Sequence, residues 1–488
     1  MIYKKLISGM LLCLSVFWLV FSFVSLSSNS YYDVKYSNNA YFDNNEIEIK
    51  LKTSKSWNLT GTSIYIDDND PTCNWSKTAN ENEWCTGSGT WKDPYIIENV
   101  TIDMRNNTDS CLTIANSSVP YIIRKCCFYN SRSYENLEDI YLNLGGGGIM
   151  LYNVGNGTIT HNNCTSNKIG IYAFGMNISI YENNMVNNEY GICFYGADNT
   201  IYLNNIIGSE YCGICSANSY YNLIMKNSIN FNNRAGIFLK GTTYTYIYEN
   251  ECNNNKEYGI WIDNSWVFCD PRTNITYISI GGYGNWISEN TVNNNSYGII
   301  LNYTMWDEIT NNTVNNNNYS GIAIYESEDI NIENNNINEN YYGIKLSESE
   351  DNRVFFNNIN RNYYGVDSYE TKYDSISKNS FNENYYGITL NETRLTNIKQ
   401  NTINNSFYGV VITSSRIVTI SYNTIYYYKI CIKEQGDCDD NIIEDNDCIK
   451  LKENSPDWTL LIIITVSASL AVAIIIFIFL VYRRRISR

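Results

Sequence analysis

The segment Ile332 to Leu346, IENNNINENYYGIKL, recurs in related forms along most of the chain. Its Tyr-Gly-Ile element sets the period, because ten of the eleven steps between its glycines lie within one residue of 22, and the other is 39. These glycines are Gly148, Gly170, Gly191, Gly213, Gly236, Gly259, Gly298, Gly321, Gly343, Gly365, Gly387 and Gly409. A fixed short period indicates a solenoid in which each repeat forms one coil.

A second element, aliphatic-x-x-Asn-x-apolar, lies between these glycines and continues beyond the last one. Its asparagines are Asn162, Asn183, Asn204, Asn227, Asn250, Asn290, Asn312, Asn335, Asn357, Asn379, Asn401, Asn423 and Asn446. Stacked amides hydrogen-bond along the axis of stacked coils, so we assign this column a structural role. Ile344 and Leu346 alternate with Lys345, which predicts a strand with aliphatic side chains inside. We expect the repeat glycine to sit at a bend with positive φ.

A block before the repeats contains WCTGSGT at Trp84 to Thr90 and DPYII at Asp93 to Ile97. Together with the Asn- and Gly-rich repeats, it resembles the right-handed parallel β-helix proteins with NosD-type repeats, over residues 60–450. The resemblance implies an all-β solenoid, a right-handed parallel β-helix of about 22-residue coils. It does not imply one activity, since pectate lyases, polygalacturonases, epimerases, phage spikes and surface proteins share this architecture. NosD proteins act in periplasmic copper-site assembly, but Met and His ligands are sparse here.

The two ends of the chain predict its location. Residues 1–28 combine lysines, an apolar run and small residues, as in a signal peptide, with an uncleaved signal anchor as the alternative. We expect a polar segment or cap over 29–62 and the β-helix over 63–457. A transmembrane helix is predicted over 458–482, because Thr459 to Val481 holds 23 uncharged residues, with a short cytoplasmic tail at 483–488. The solenoid would then be extracellular, on a single-pass protein of the cell membrane.

The net charge of −16 argues against a nucleic-acid partner, which would require a basic surface. Within this acidic chain, one glutamate column stands five residues after successive repeat glycines, at Glu326, Glu348, Glu370 and Glu392. Calcium takes six to eight oxygen ligands, and this suggests a calcium site. That hypothesis assigns the ligands to Glu326, Glu328, Glu348 and Glu350. The alternative is a solvated face paired with Lys372 and Arg394.

Aromatic residues supply the candidate binding surface. The 39-residue step inserts a loop near 263–286, and projecting aromatic loops on rigid scaffolds often carry recognition. The predicted carbohydrate-binding residues are Trp261, Trp266, Tyr283 and Trp286. The alternative is that the loop only shields one face. Aromatic pairs also precede four successive glycines, from Tyr341-Tyr342 to Phe407-Tyr408, and we expect these rings to stack structurally, with a sugar platform as the alternative.

The cysteines outside the signal region, fourteen in number, would face an oxidising exterior. Cys193 and Cys215 hold the same position in adjacent coils, which predicts a disulfide. Cys73 with Cys85 is a second candidate. Cys438 could pair with either of two residues, Cys431 or Cys448. Asn-X-Ser/Thr sequons also permit glycosylation of an exported chain.

Catalytic motifs are weak in this sequence. Its single histidine, His161, flanks the Asn column. The sequence contains neither an Asp pair with Gly-His-Gly, as in polygalacturonases, nor a compact Asp-Pro-His-Glu set, as in alginate epimerases. We therefore expect a non-catalytic carbohydrate-binding or adhesion module. The alternatives are a polysaccharide lyase or hydrolase, and a structural spacer or NosD-like periplasmic accessory protein.

Overall fold

A computed structural model describes residues 56–132, 146–270 and 275–452, with side chains omitted from description at 266–280. Three parallel sheets run along a common core, and each coil contributes to each sheet in turn. The predicted signal peptide, transmembrane helix and tail, and most of segment 29–62, lie outside these ranges. Within them, no helix has the length and apolar character needed to span a bilayer.

The first sheet has sixteen strands, of which only the first two are antiparallel to each other. They are Cys85–Thr86, Tyr95–Glu98, Tyr121–Arg124, Gly157–Thr160, Ser179–Tyr181, Thr200–Tyr202, Leu223–Met225, Tyr246–Tyr248, Trp286–Ser288, Glu308–Thr310, Asn331–Glu333, Arg353–Phe355, Ser375–Ser377, Asn397–Lys399, Thr419–Ser421 and Ile442–Glu444.

The second sheet follows the Asn column. Its strands are Trp57–Asn58, Val100–Asp103, Cys127–Tyr129, Asn163–Thr165, Asn184–Val186, Asn205–Ile207, Ser228–Asn230, Thr313–Asn315, Asn336–Asn338, Asn358–Asn360 and Ser380–Asn382. Single-residue bridges at Glu251 and Thr291 continue it across the middle. Near the end, Thr402–Thr413 and Thr424–Gln435 pass through both the second and third sheets, and Asp447–Lys450 pairs with the latter strand.

The third sheet contains the Tyr-Gly-Ile elements. Its strands are Ile64–Asp67, Leu112–Ala115, Gly147–Gly155, Ile169–Met176, Tyr190–Ala197, Cys212–Ala217, Ala235–Lys240, Tyr258–Asp263, Tyr297–Asn302, Ser320–Tyr325, Tyr342–Ser347, Tyr364–Tyr369 and Tyr386–Asn391. An antiparallel hairpin, Ser265–Asp270 with Ile275–Ile280, accounts for the long step in the repeat. The predicted loop near 263–286 therefore contains a two-stranded β-hairpin.

The core is an aliphatic column from each sheet. Ile332, Ile337, Ile344 and Leu346 are fully buried, as the alternating pattern predicts, whereas Lys345 lies on the outer side. A short helix, α1 (Trp75–Glu81), was not predicted from the turn-rich block between Cys73 and Cys85. It begins at Asn74, whose side chain accepts a hydrogen bond from the Lys77 N–H at 2.9 Å.

The repeat glycines have a different role from the one predicted. None of them has a positive φ; at Gly343, a Cβ would lie 2.6 Å from the Gly365 carbonyl oxygen of the next coil. Glycine is required there because adjacent coils approach closely. Positive φ falls instead on polar corner residues such as Asn334, Glu339 and Glu348.

The Asn column forms a continuous hydrogen-bonded chain, as predicted. Each Nδ2 from Asn162 to Asn423 donates to the Oδ1 of the next asparagine at 2.9–3.0 Å. A second buried column, five residues further along, was not recognised in the sequence. It includes Asn295, Asn317, Asn340, Asn362 and Asn384, linked in the same way. The sequence feature that could have revealed this second column is the spacing of its asparagines, which is the same, about 22 residues.

Candidate functional site

Exposed aromatic side chains gather at the corner where the chain passes from the third sheet to the first, here called the third corner. This aromatic strip consists of the exposed residues Tyr220, Tyr221, Tyr244, Tyr246, Trp286 and Trp306, together with the half-buried Tyr283. Solvent reaches 46 % of Trp286 and 55 % of Trp306, although large aromatic side chains are usually buried. The strip therefore presents ring faces to solvent over several coils.

The rings of the strip support one another. Tyr221 stacks on Tyr244 with centroids 5.3 Å apart, and Tyr283 lies edge-on between Tyr244 and Trp306 at 5.4 and 5.5 Å. Gly284 has φ of +67°, and a Cβ there would lie 2.7 Å from the Tyr244 ring. The local backbone is thus shaped to let these rings meet.

The structure brings together two of the four predicted aromatic ligands. Tyr283 and Trp286 belong to the strip, where Trp286 meets Tyr246 edge-on at 5.0 Å. Trp261 lies on the outer side of the third sheet, against Phe238 and under the Arg234 guanidinium. Trp266 lies in the hairpin, with its side chain outside the described part.

An open groove of about 1160 Å³ continues along the same third corner. This charged groove is lined by Tyr303, Glu326, Ser327, Glu328, Glu348, Ser349, Glu350, Glu370, Thr371, Lys372, Glu392, Arg394, Ser414, Arg416 and Asp437. It begins where the aromatic strip ends, because Tyr303 lies three residues before Trp306 and the Trp306 N–H donates to the Glu328 carbonyl at 3.2 Å. The strip and the groove form one continuous surface.

Two charged columns form the walls of the groove. The predicted glutamate column occupies left-handed corner positions, with φ between 44° and 57° from Glu326 to Glu392. The second column changes sign along the axis: Glu328 and Glu350 are followed in register by Lys372, Arg394 and Arg416. Its carboxylates therefore precede its cations along the chain.

Ion pairs relieve only part of this charge. Lys372 lies 3.8 Å from Glu350, and Arg416 lies 3.3 Å from Asp439. Within the described ranges, Arg394 forms no ion pair. Burial, together with a hydrogen bond to Glu326, raises the pKa of Tyr303 to about 12. The Tyr303 hydroxyl therefore remains a hydrogen-bond donor at neutral pH. The groove thus offers carboxylates, a phenol and a free guanidinium to a polar ligand.

The paired rings before the glycines stack as predicted. Tyr363 lies between Tyr341 and Tyr385, with centroids 5.1 and 4.9 Å apart and interplanar angles of 3° and 6°. Tyr364 stacks in the same way between Tyr342 and Tyr386. These columns lie away from the third corner, and their regular packing supports the structural role.

The predicted disulfides are not formed. Cys193 and Cys215 are register partners on adjacent strands, but both are free thiols, and a hydrogen bond between them, together with burial, raises the pKa of Cys215. Cys73 and Cys85 are also free, because Cys85 points into the core while Cys73 stays in the loop before α1.

Neither of the two pairings left open for Cys438 is formed; the structure instead joins Cys431 to Cys448, with a Cα–Cα distance of 5.8 Å. Cys438 remains a free thiol. This bridge joins strand Thr424–Gln435 to the last strand, Asp447–Lys450.

Two buried aspartates at the third corner were not predicted. Asp307 accepts hydrogen bonds from the Asn285 N–H and from Thr304 Oγ1, and Asp374 accepts two from Asn352. Burial is the main cause that raises the pKa of each carboxyl to about 7. Each aspartate stands 22 residues after its asparagine partner, a signal present in the sequence.

Comparison with protein families identifies the repeats. The family described as periplasmic copper-binding protein (NosD) matches residues 176–283, 267–385 and 357–456, together more than half of the chain. The chain belongs to the NosD family. This membership agrees with the parallel sheets and confirms the β-helix predicted from the repeat. A search of curated protein sequences gave no match for this NosD-family chain.

Solved structures with a similar fold include a mutant of the periplasmic alginate epimerase AlgG, at 12 % identity, covering 79 % of this chain and 85 % of that one, with a TM-score of 0.36. The Dettilon tailspike protein is also 12 % identical; the match covers 66 % of this chain and 62 % of the tailspike chain, with a TM-score of 0.39. DFA-IIIase from Arthrobacter chlorophenolicus A6 is 12 % identical; the match covers 62 % of this chain and 81 % of the DFA-IIIase chain, with a TM-score of 0.37. Likeness at this level gives no argument about activity.

The described residues do not form a site for copper, the metal in the family description. The single histidine, His161, directly follows a strand of the first sheet, and its Nε2 lies 3.0 Å from Glu182 Oε2. Across the described ranges, no three His, Cys, Asp or Glu side chains are grouped to hold a metal ion. The four glutamates predicted to bind calcium, Glu326, Glu328, Glu348 and Glu350, all line the charged groove.

Proposed function

We propose that this NosD-family protein is a membrane-anchored surface module that binds carbohydrate chains along the third corner without catalysis. The observation that carries the proposal is the continuity of the aromatic strip with the charged groove. Ring faces such as those of Trp286 and Trp306 suit the apolar faces of sugars, and the polar groups of the groove suit their hydroxyls. A chain-like ligand lying along the solenoid axis would contact both.

The anchor in this proposal is the uncharged stretch from Thr459 to Val481. The arginines that follow it favour a cytoplasmic tail, which leaves the solenoid on the outer side of the membrane. The proposal is supported further by the many sequons and by the disulfide Cys431–Cys448, which suits an oxidising compartment.

A glycan array probed with the detergent-solubilised full chain, followed by product analysis of every hit, tests the proposal. Binding with intact glycans is the expected result. Absence of any glycan ligand would overturn the proposal and favour a structural spacer, whereas new reducing or unsaturated ends would establish an enzyme.

A polysaccharide lyase or hydrolase is the second candidate, and the charged groove favours it. Carboxylates and cations, including the unpaired Arg394, line one groove across successive coils, which is the arrangement that acid–base chemistry on a sugar chain would use. Substituting Arg394→Gln should abolish product formation if this candidate is correct, and should leave simple binding measurable if it is not.

Calcium remains a proposed ligand of the glutamate column. In this proposal, Glu348→Gln with Glu350→Gln lowers a calcium-dependent rise in melting temperature. If calcium causes no rise in the unsubstituted protein, the solvated and salt-bridged face is the correct interpretation.

A further inference from the structure

The C-terminal coil is the last one that the structure describes, and no coil among the described residues covers its end. Ile443 occupies the inward position of Ile420 and Ile398, which are fully buried, yet Ile443 is 42 % exposed because no coil follows it in the described residues. Ile442 and Ile449 are similarly exposed. Such an end presents apolar side chains and unpaired strand edges, which proteins normally cover.

The end coil is held in place despite this exposure. The disulfide Cys431–Cys448 joins it to the preceding coil, and Cys448 occupies the inward position held by Ile425 one coil earlier. The Leu451 N–H still donates to the Tyr427 carbonyl at 2.8 Å. The chain is therefore attached to the solenoid until Leu451, and the exposed end is a fixed surface.

The length of chain beyond Leu451 selects the partner of this surface. The uncharged stretch begins at Thr459, and eight residue steps reach at most about 28 Å. If that stretch crosses a bilayer, lipid must lie within this distance of the end coil. A second copy docked end to end would have to occupy the same space, so the membrane is the occupant that fits.

We infer that the end coil rests on the bilayer surface, with Ile442, Ile443 and Ile449 facing lipid and the solenoid axis directed away from the membrane. The inference rests on the membrane anchor of the proposed function and is independent of carbohydrate binding. The rim of this end carries more acidic than basic residues between Asp437 and Lys452, so a zwitterionic surface suits it better than an anionic one.

This orientation gives the aromatic strip its position. Six links of the Asn column separate Asn312, in the coil of Trp306, from Asn446 in the end coil. At about 4.8 Å for each coil, the strip would begin about 30 Å from the membrane and continue outward. Carbohydrate would then be met well beyond the lipid headgroups.

Lipid-dependent quenching tests the inference. A fluorescent noncanonical amino acid is placed at Ile442 or, as a matched exposed control far from the end, at Phe231, and the full chain is reconstituted into phosphatidylcholine vesicles with nitroxide-labelled lipid. We expect severalfold stronger quenching at position 442 than at position 231. Equal quenching at both positions, in protein that alkaline carbonate does not extract from the vesicles, would overturn the inference.

A chain that carbonate extracts from the vesicles would also overturn the inference, because the anchor would then be absent. Carbohydrate binding on the array would be unaffected by that result. Failure of the lipid contact and failure of the carbohydrate proposal are therefore distinguishable.

Discussion

At the scale of single residues, Asn335 shows what joins one coil to the next. Its amide donates to the carbonyls of Ile309 and Glu333 and to Asn357 Oδ1, while its own Oδ1 accepts from Asn312. Replacing it by alanine leaves several buried polar groups without partners. Asn335→Ala should therefore cost about 2–4 kcal/mol of unfolding free energy.

Denaturant and thermal unfolding measure this cost, with the exposed neighbour Asn336→Ala as control. The control should change stability by less than about 0.5 kcal/mol. Equal effects of the two substitutions would show that the Asn column is not what stabilises the stack.

The buried aspartates predict a pH dependence. Because burial raises the pKa of Asp307 and Asp374 from 3.8 to about 7, the folded state holds protons that the unfolded state releases. Their contribution to stability is complete below about pH 4, declines as the pH rises towards 7, and stays low above it. Melting temperature should therefore fall between pH 5 and pH 8.

Asn285 and Asn352 hold the same column position one coil before Asp307 and Asp374 and donate hydrogen bonds to them. Asparagine should therefore also fit at positions 307 and 374. The double variant Asp307→Asn with Asp374→Asn should melt at a higher temperature at pH 8 and show a smaller change between pH 5 and pH 8. An unchanged pH profile would show that these carboxyls are not the groups that titrate.

At the scale of the strand, Gly343 allows two coils to pack closely, because it has no side chain. A methyl group there would meet the backbone oxygen of Gly365 at 2.6 Å, so Gly343→Ala should cost about 1–3 kcal/mol. Gly155→Ala is a milder case of the same change, since its nearest contact is 3.3 Å away. Comparing their melting temperatures checks this, and a Gly343→Ala protein as stable as the Gly155→Ala protein would refute it.

The tyrosine columns make a separate prediction about structure and binding. Tyr363 stacks on two neighbours, so Tyr363→Ala should lose about 1–3 kcal/mol, from two stacked pairs of about 0.5–1.5 kcal/mol each. Tyr363→Phe should retain that stability, because Phe407 already occupies this column. Carbohydrate binding should be unchanged in Tyr363→Phe; weaker binding would give this column a ligand role.

At the scale of the whole molecule, period alone predicted the solenoid, the aliphatic core and the column through Asn335. The reason for Gly343 could not be predicted, because it depends on the distance between coils rather than on the local chain. Trp261 and Trp286 were grouped by sequence proximity, yet a strand, the hairpin and a corner separate them. Asp307 could have been found by aligning its coil with Asn285.

The position of the strip depends on register across the inserted hairpin. Trp286 reaches Tyr246 only because the coil resumes its pairing after the insertion, with the two residues as strand partners. Sequence spacing is lost across a 39-residue step, so the alignment of Tyr244, Tyr283 and Trp306 becomes visible only in three dimensions.

The central claim is that the third corner binds carbohydrate, and the affinity of the full chain for an array hit tests it most directly. The double variant Trp286→Ala with Trp306→Ala is compared with the unsubstituted protein and with Trp91→Ala, an exposed tryptophan outside the strip. We predict binding weaker by about tenfold or more in the double variant, which still unfolds cooperatively at a slightly lower melting temperature, and normal binding in Trp91→Ala. Equal affinity in all three proteins would contradict the claim.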